Sequence, residues 1–274
     1  MGLIVGLDIG GTTTKIVGFD KRELIGFVRV QASDPFTSAS GGLGKFLNVI
    51  GKNLSNVDQI HATGVGASQL DGDLFNCRTL VVPEFDCVGL GGLYLADLDE
   101  AIVVSMGTGT SIVAARGKKV NHIIGSGVGG GTLQGLAEKM LNIEEFETIS
   151  GLANQGDLGM VDLTIGDITT AEIPGLTADA TASNFGKLQD LARAEDIAAG
   201  IVNLVFQSVG TASVLAARLE RLDRIVITGN LSLMPLGKKV LDGFSNLYNL
   251  TFLIPEHAEF ATAVGASIIG NQTL

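Results

Sequence analysis

The stretch Leu7-Asp8-Ile9-Gly10-Gly11-Thr12-Thr13-Thr14-Lys15, directly after the apolar run Leu3 to Leu7, constrains this chain more than any other. Glycine lets backbone N–H groups approach a phosphate closely and threonine hydroxyls add donors; here an acid and a base also stand at the two ends of the turn. Such a turn can hold a nucleotide phosphate chain, with Asp8 available for magnesium, a hard cation that prefers oxygen ligands. A lone Gly-Gly-Thr also fits an ordinary hairpin.

The device recurs further along the chain. Ala101 to Ser105 form a second apolar strand, Met106-Gly107-Thr108-Gly109-Thr110-Ser111 a second Gly/Thr turn, and Ile112 to Ala115 a return strand. Two such units predict a duplicated architecture in which each holds part of a triphosphate. Ser105 and Met106 stand where the first turn has its acid, so the halves are not equivalent.

With 274 residues, 46% of them hydrophobic, the chain has ample core for one large domain or two modest ones. A net charge of -11 and basic residues that cluster in little more than pairs argue against a nucleic-acid partner or an acidic membrane surface. Mean hydropathy is positive, yet no apolar run approaches the roughly 18 residues that spanning needs. The N-terminus enters a strand without a basic leader, and Cys77 and Cys87 have no metal-ligand spacing, so a cytoplasmic protein with both thiols reduced in its core is expected.

Leu3 to Leu7, Lys15 to Phe19 and Leu24 to Val30 read as an antiparallel meander, its last turn being Asp20-Lys21-Arg22-Glu23. Leu43, Phe46, Leu47 and Ile50 mark one face of a helix, and Asn56 to Thr63 leads a strand into Gly64. Leu80-Val81-Val82-Pro83-Glu84-Phe85-Asp86 is a strand ending at a proline, with an acid just beyond, where ligand-facing residues of α/β sheets often sit. A carboxylate beside a substrate hydroxyl can accept its proton during phosphoryl transfer, which makes Glu84 a candidate base; spacing alone equally fits a solvated loop acid. Asp86 is expected to cap a helix starting near Cys87.

Val120 to Ile124 is expected to feed Gly125-Ser126-Gly127-Val128-Gly129-Gly130-Gly131-Thr132 and a helix through Leu133, Leu136 and Met140, whose first amides would form an anion site. Gly125, Gly127 and Gly130 match the dinucleotide-binding spacing but lack the βαβ unit and acidic partner that would support it. Glu144 to Asn184 reads as an inserted cap with Asp157, Asp162 and Asp167 on solvated turns. A long core helix from Asp196 to Leu219, the strand Arg224 to Leu231, a helix near Leu236 to Phe244, a strand at Leu250 to Ile254 and a terminal helix from Phe260 to Ile269 complete the chain. His257, isolated between the last two, reads as structural.

Together the Asp8 turn, the Gly107 turn, Thr228-Gly229-Asn230 and Ala263-Val264-Gly265-Ala266-Ser267 resemble the actin-like ATPase and sugar-kinase superfamily. Within it, Pro83-Glu84-Phe85-Asp86, Met106 to Ser111, Gly129 to Leu136 and Ser183-Asn184-Phe185-Gly186 are similar, in order, to segments of type II pantothenate kinases. The resemblance implies an α/β chain with a two-lobed actin-like ATPase fold built from duplicated ribonuclease H-like domains, lobes 1–98 and 99–274, binding ATP and Mg2+ and acting as a homodimer.

It further implies that Asp8, Ile9, Gly10, Gly11, Thr12, Thr13, Thr14 and Lys15 bind ATP phosphate, with Asp8 on the metal. Thr108, Gly130, Gly131, Thr132, Leu133, Gln134, Phe146 and Asn230 would complete the nucleotide site. Glu84 would be the catalytic base, with Glu84, Thr108 and His122 at the substrate, pantothenate, in the first step of coenzyme A synthesis.

This sequence departs from the family pattern at one place. The family holds the pantothenate carboxylate with an arginine before the Gly-rich segment, where Asn121-His122 stand here. Histidine lacks the permanent charge and bidentate fork of arginine. The C-terminal strand, Phe252-Leu253-Ile254, also lacks the family's tyrosine. A kinase for another small alcohol, such as pantetheine or an amino sugar, and an ATP-hydrolysing activator of a partner protein are the alternatives. The first turn also resembles that of radical-dehydratase activators, whose iron–sulfur ligation Cys77 and Cys87 do not reproduce.

Overall fold

The computed structural model describes residues 2–21 and 23–271. In chain order the strands are β1 (Leu3–Ile9), β2 (Thr13–Asp20), β3 (Glu23–Gln31), β4 (Val57–Thr63), β5 (Thr79–Val81), β6 (Glu100–Met106), β7 (Thr110–Arg116), β8 (Lys119–Ser126), β9 (Leu163–Thr164), β10 (Thr181–Ser183), β11 (Arg224–Thr228) and β12 (Thr251–Leu253). The helices are α1 (Pro35–Val49), α2 (Glu84–Ala96), α3 (Gly130–Leu141), α4 (Phe146–Ala153), α5 (Ile165–Ile168), α6 (Ala194–Glu220), α7 (Pro235–Tyr248) and α8 (Ala261–Asn271). The expected meander is present as β1–β2–β3; Arg22, in its second turn, lies outside the described residues.

Two five-stranded sheets share one topology. The first runs β3-β2-β1-β4-β5 and the second β8-β7-β6-β11-β12. In each, three antiparallel strands are followed by two parallel ones. This is the duplication that the two Gly/Thr turns imply, and each turn joins the first two strands of its sheet.

The helices trade sides between the sheets. α2 follows β5 of the first sheet but buries Val88 and Leu93 against Ala101, Val103, Val113 and Val226 of the second. α8 follows the second sheet but packs Ala263 and Val264 against Val17 and Phe19 of the first. A division at 98/99 therefore separates the sheets but not the packing units, because each terminal helix covers the other lobe.

Helix starts are set locally. Asp34 accepts a hydrogen bond from Thr37 N at 2.8 Å to cap α1, with Pro35 in its first turn. α2 begins three residues earlier than the expected start at Cys87. Pro83 occupies the cap position, and Glu84 and Asp86 both lie in the first turn, where the helix dipole favours acids. Asp86 is thus inside the helix, not its cap.

α6 is long and apolar enough to cross a membrane by composition, but most of it is buried within the protein. Its Ile201, Val202, Val205 and Phe206 form the centre of the second lobe's core with Ile102, Val104, Leu133 and Ile227. Residues 144–184 form the excursion holding α4, α5 and the β9–β10 ribbon. Asp162 is not solvated as expected: it is buried and accepts hydrogen bonds from Phe185 N at 2.7 Å and Asn203 Nδ2 at 2.6 Å, pinning the excursion to α6. Asp167 does lie outside, where Lys187 and the Thr164 amide hold its carboxyl down at about 2.

Candidate active site

The two Gly/Thr turns face each other across a cleft with two adjoining parts. One, of about 400 Å3, is lined by Asp8, Gly10 to Thr13, Lys15, Glu84, Thr108 and His122 among others. The other, of about 560 Å3, shares Thr12, Thr13, Gly107, Thr108 and Asn230 and adds Arg29, Gly130, Gln134, Glu144 and Phe146. Thirteen of the expected residues thus line one continuous cleft, with Asp8 and Glu84 in the same compartment.

Asp8 and Lys15 are held there by strand pairing, being opposite one another in the β1–β2 register. Lys15 Nζ lies 4.0 Å from Asp8 Oδ2, with side-chain exposures of 8% and 14%. Burial pushes the Asp8 carboxyl above its usual range, against the pull of Lys15, and pushes the Lys15 ammonium below its own. Gly64 closes over the pair: a Cβ there would stand 2.8 Å from Asp8 Oδ1, and its φ of +88° is one that glycine adopts freely. Gly229, at the end of the equivalent strand of the second sheet, has a φ of +87° and presses on Met106 in the same way.

Glu84 opens α2 at the cleft, adjoining the end of β5. Removal from water raises its carboxyl above the ordinary value, and the charge of Asp8 adds to the shift. Phe85 beside it stacks on His122 of β8, ring centroids 3.9 Å apart and planes 13° from parallel.

Asn230 spans the lobes, donating from Nδ2 to Thr13 Oγ1 at 3.5 Å, while its Oδ1 is buried without a hydrogen-bond partner. An unpaired buried acceptor beside Gln134 and Phe146 suits a nucleotide hydroxyl or amine, since leaving it unmade is costly. The oxygen-rich surroundings of Asp8, with Thr12, Thr13 and Thr108 lining the same cavity, are the donor chemistry magnesium prefers.

Five expected residues have no side chain on the cleft. Ile9 and Leu133 belong to the two lobes' cores. Thr14 is buried in β2. Thr132 donates to Gly127 O at 2.9 Å, closing its own loop. The first amides of α3 are not an open anion site: Gly130 N donates to Gly107 O and Gly131 N to Thr108 O, both at 2.8 Å. They dock α3 onto the second Gly/Thr turn instead. Cys77 and Cys87 are both free, the latter buried at the start of α2, which raises its thiol to about 12.

Sequence reading missed Arg29, Val65 and Thr262, all of which line the cleft. Arg29 had a signal, since it pairs with Lys15 across β2 and β3, but the pairing follows only from the register shift between Gly18 and Phe19.

Two sheets of one topology, each presenting a Gly/Thr turn to a shared cleft with a buried acid at the first turn, define an actin-like ATPase and sugar-kinase fold. The dehydratase activator from Clostridium difficile with bound ADPNP is similar at TM-score 0.71 and 16% identity, over 99% of this chain and 98% of that one. A ROK family glucokinase from Streptomyces griseus, solved with glucose and AMPPNP, is similar at TM-score 0.63 and 12% identity, over 99% and 100%.

In sequence, a type II pantothenate kinase of Bacillus anthracis is 31% identical over 235 residues, 82% of each chain. One of Staphylococcus haemolyticus is 28% identical over 96% of this chain and 98% of its own. The Fumble family model matches residues 97–268. The chain belongs to this family, the type II pantothenate kinases.

Proposed function

We propose that this protein transfers the γ-phosphoryl group of ATP to the primary hydroxyl of pantothenate, opening coenzyme A synthesis. The observation that carries the reading is Glu84 in one compartment with Asp8 and both Gly/Thr turns. The relatives' shared name supplies the acceptor.

In this mechanism the acceptor hydroxyl donates to the Glu84 carboxylate, which takes its proton as the oxygen attacks phosphorus in line. The new O–P bond forms as the bond from γ-phosphorus to the β–γ bridging oxygen breaks, and ADP leaves. Lys15 and the donors of Gly10 to Thr13 and Thr108 stabilise charge on the transferring group. Asp8 would hold magnesium through water, and the metal, when bound, neutralises charge on the β- and γ-phosphates. Asn230, Gln134 and Phe146 position the nucleoside, and His122 lies at the acceptor. Leu215 and Leu219, 62% and 70% exposed on α6, give an apolar face suited to a homodimer.

The test is ADP release with magnesium and ATP, comparing pantothenate, N-acetylglucosamine and no acceptor, with the product confirmed by mass. Pantothenate-dependent release supports the reading. Release that ignores the acceptor replaces it with an ATP-driven partner switch.

A further inference from the structure

The compartment holding Glu84 is short of positive charge. Among the described residues lining it, the acids are Asp8 and Glu84, the one lysine is Lys15, and the remaining basic side chain is His122. Lys15 is 8% exposed and faces Asp8 at 4.0 Å. A carboxylate on the acceptor would therefore add a third carboxylate to a pocket whose one lysine also serves the transferring phosphoryl group.

His122 does not mend this shortage. Its ring lies flat on Phe85, which covers one of its two faces. A neutral imidazole has one N–H donor and one nitrogen acceptor. An amide is uncharged and can meet either nitrogen, its C=O accepting from the N–H or its N–H donating to the lone pair, whereas a carboxylate can only accept and lacks here the permanent cation that an arginine supplies. Phe85 and Val65, 42% and 70% exposed, leave an apolar shelf beside it for an extended chain.

We propose that the acceptor site favours a neutral end: a primary alcohol of the pantothenate type whose carboxylate is replaced by an uncharged amide. The proposal rests on the kinase reading and concerns which acceptor that same pocket takes. Pantothenate itself remains a substrate, bound more weakly.

The experiment compares kcat/KM for pantothenate, pantetheine and the N-pentyl amide of pantothenate, in the wild type and in His122→Arg and His122→Asn. In the wild type both amides are expected to exceed pantothenate by about tenfold, the weight of one charge-assisted contact, through KM. His122→Arg, on the exposed edge strand β8, supplies the fork and charge and should reverse the order; His122→Asn, with one donor and one acceptor function but no charge, should keep it. A wild type that prefers pantothenate, or a preference unmoved by His122→Arg, overturns the proposal and leaves the kinase reading standing. Failure of all three acceptors would bring down the kinase reading itself.

Discussion

Gly91 on α2 and Gly265 on α8 meet where the two helices cross, with their backbones almost in contact. A Cβ on Gly265 would stand 1.9 Å from the Cys87 carbonyl oxygen, and one on Gly91 1.7 Å from that of Ala261. Since each helix covers the opposite lobe, this crossing sets how the lobes meet. Gly265→Ala must drive the backbones apart and is expected to cost about 3 kcal/mol or more, with turnover falling alongside. Chemical denaturation gives the number; a loss below roughly 1 kcal/mol would mean the crossing yields easily.

Glu84→Gln keeps the size of the side chain and removes the proton acceptor. Turnover should fall by about 10²–10⁴-fold while ATP affinity stays within about twofold, since Glu84 does not line the part of the cleft proposed here for the nucleoside. Steady-state kinetics with nucleotide titration separate the two; undiminished turnover removes Glu84 from the base role.

The raised carboxyls of Asp8 and Glu84 make a pH prediction whose sign is fixed. A base must be ionised, so kcat/KM for the acceptor should fall as pH drops through a value above the ordinary 4.5 of a glutamate. The limb belongs to the interacting pair, not to one residue. For stability the sign is opposite. Groups raised on folding contribute stability that is complete below their unfolded values and lost as pH rises through the folded ones. Glu84→Gln should therefore melt higher than the wild type near neutrality, with the gap closing in acid. A pH–rate limb at or below 4.5 contradicts the first claim and a gap that widens in acid the second.

Asp8→Asn tests the metal. A carboxylate that holds magnesium through water is expected, when neutralised, to raise the half-saturating Mg2+ concentration by about 10–100-fold. Titrating Mg2+ at fixed ATP measures it, and an unchanged requirement places the metal elsewhere.

Much of the architecture was readable along the chain. The meanders, the two Gly/Thr turns and the strands after them follow from apolar runs broken by glycine and threonine, which are local signals. Asp8, Lys15 and Thr108 were placed on the cleft for the same reason: each sits in or beside a turn whose composition announces it. Glu84 was found at a strand end, although the start of its helix was displaced by three residues, because Pro83 caps α2 through its own fixed backbone and not through the acid at Asp86.

The misses lie where distant segments meet. Nothing near Asp162 announces that Phe185 and Asn203 will bury it, or that the first amides of α3 will be spent on Gly107 and Thr108. Arg29 reaches the cleft because a one-residue bulge in the β2–β3 pairing sets it opposite Lys15.

Local residue chemistry thus wrote the strands, the turns and their duplication, since backbone freedom and side-chain alternation act over a few residues. Which lobe each helix covers, and that an acid on α2 shares a compartment with one on β1, came from packing between segments far apart in the chain, where contact by the glycines of α2 and α8 selects the arrangement.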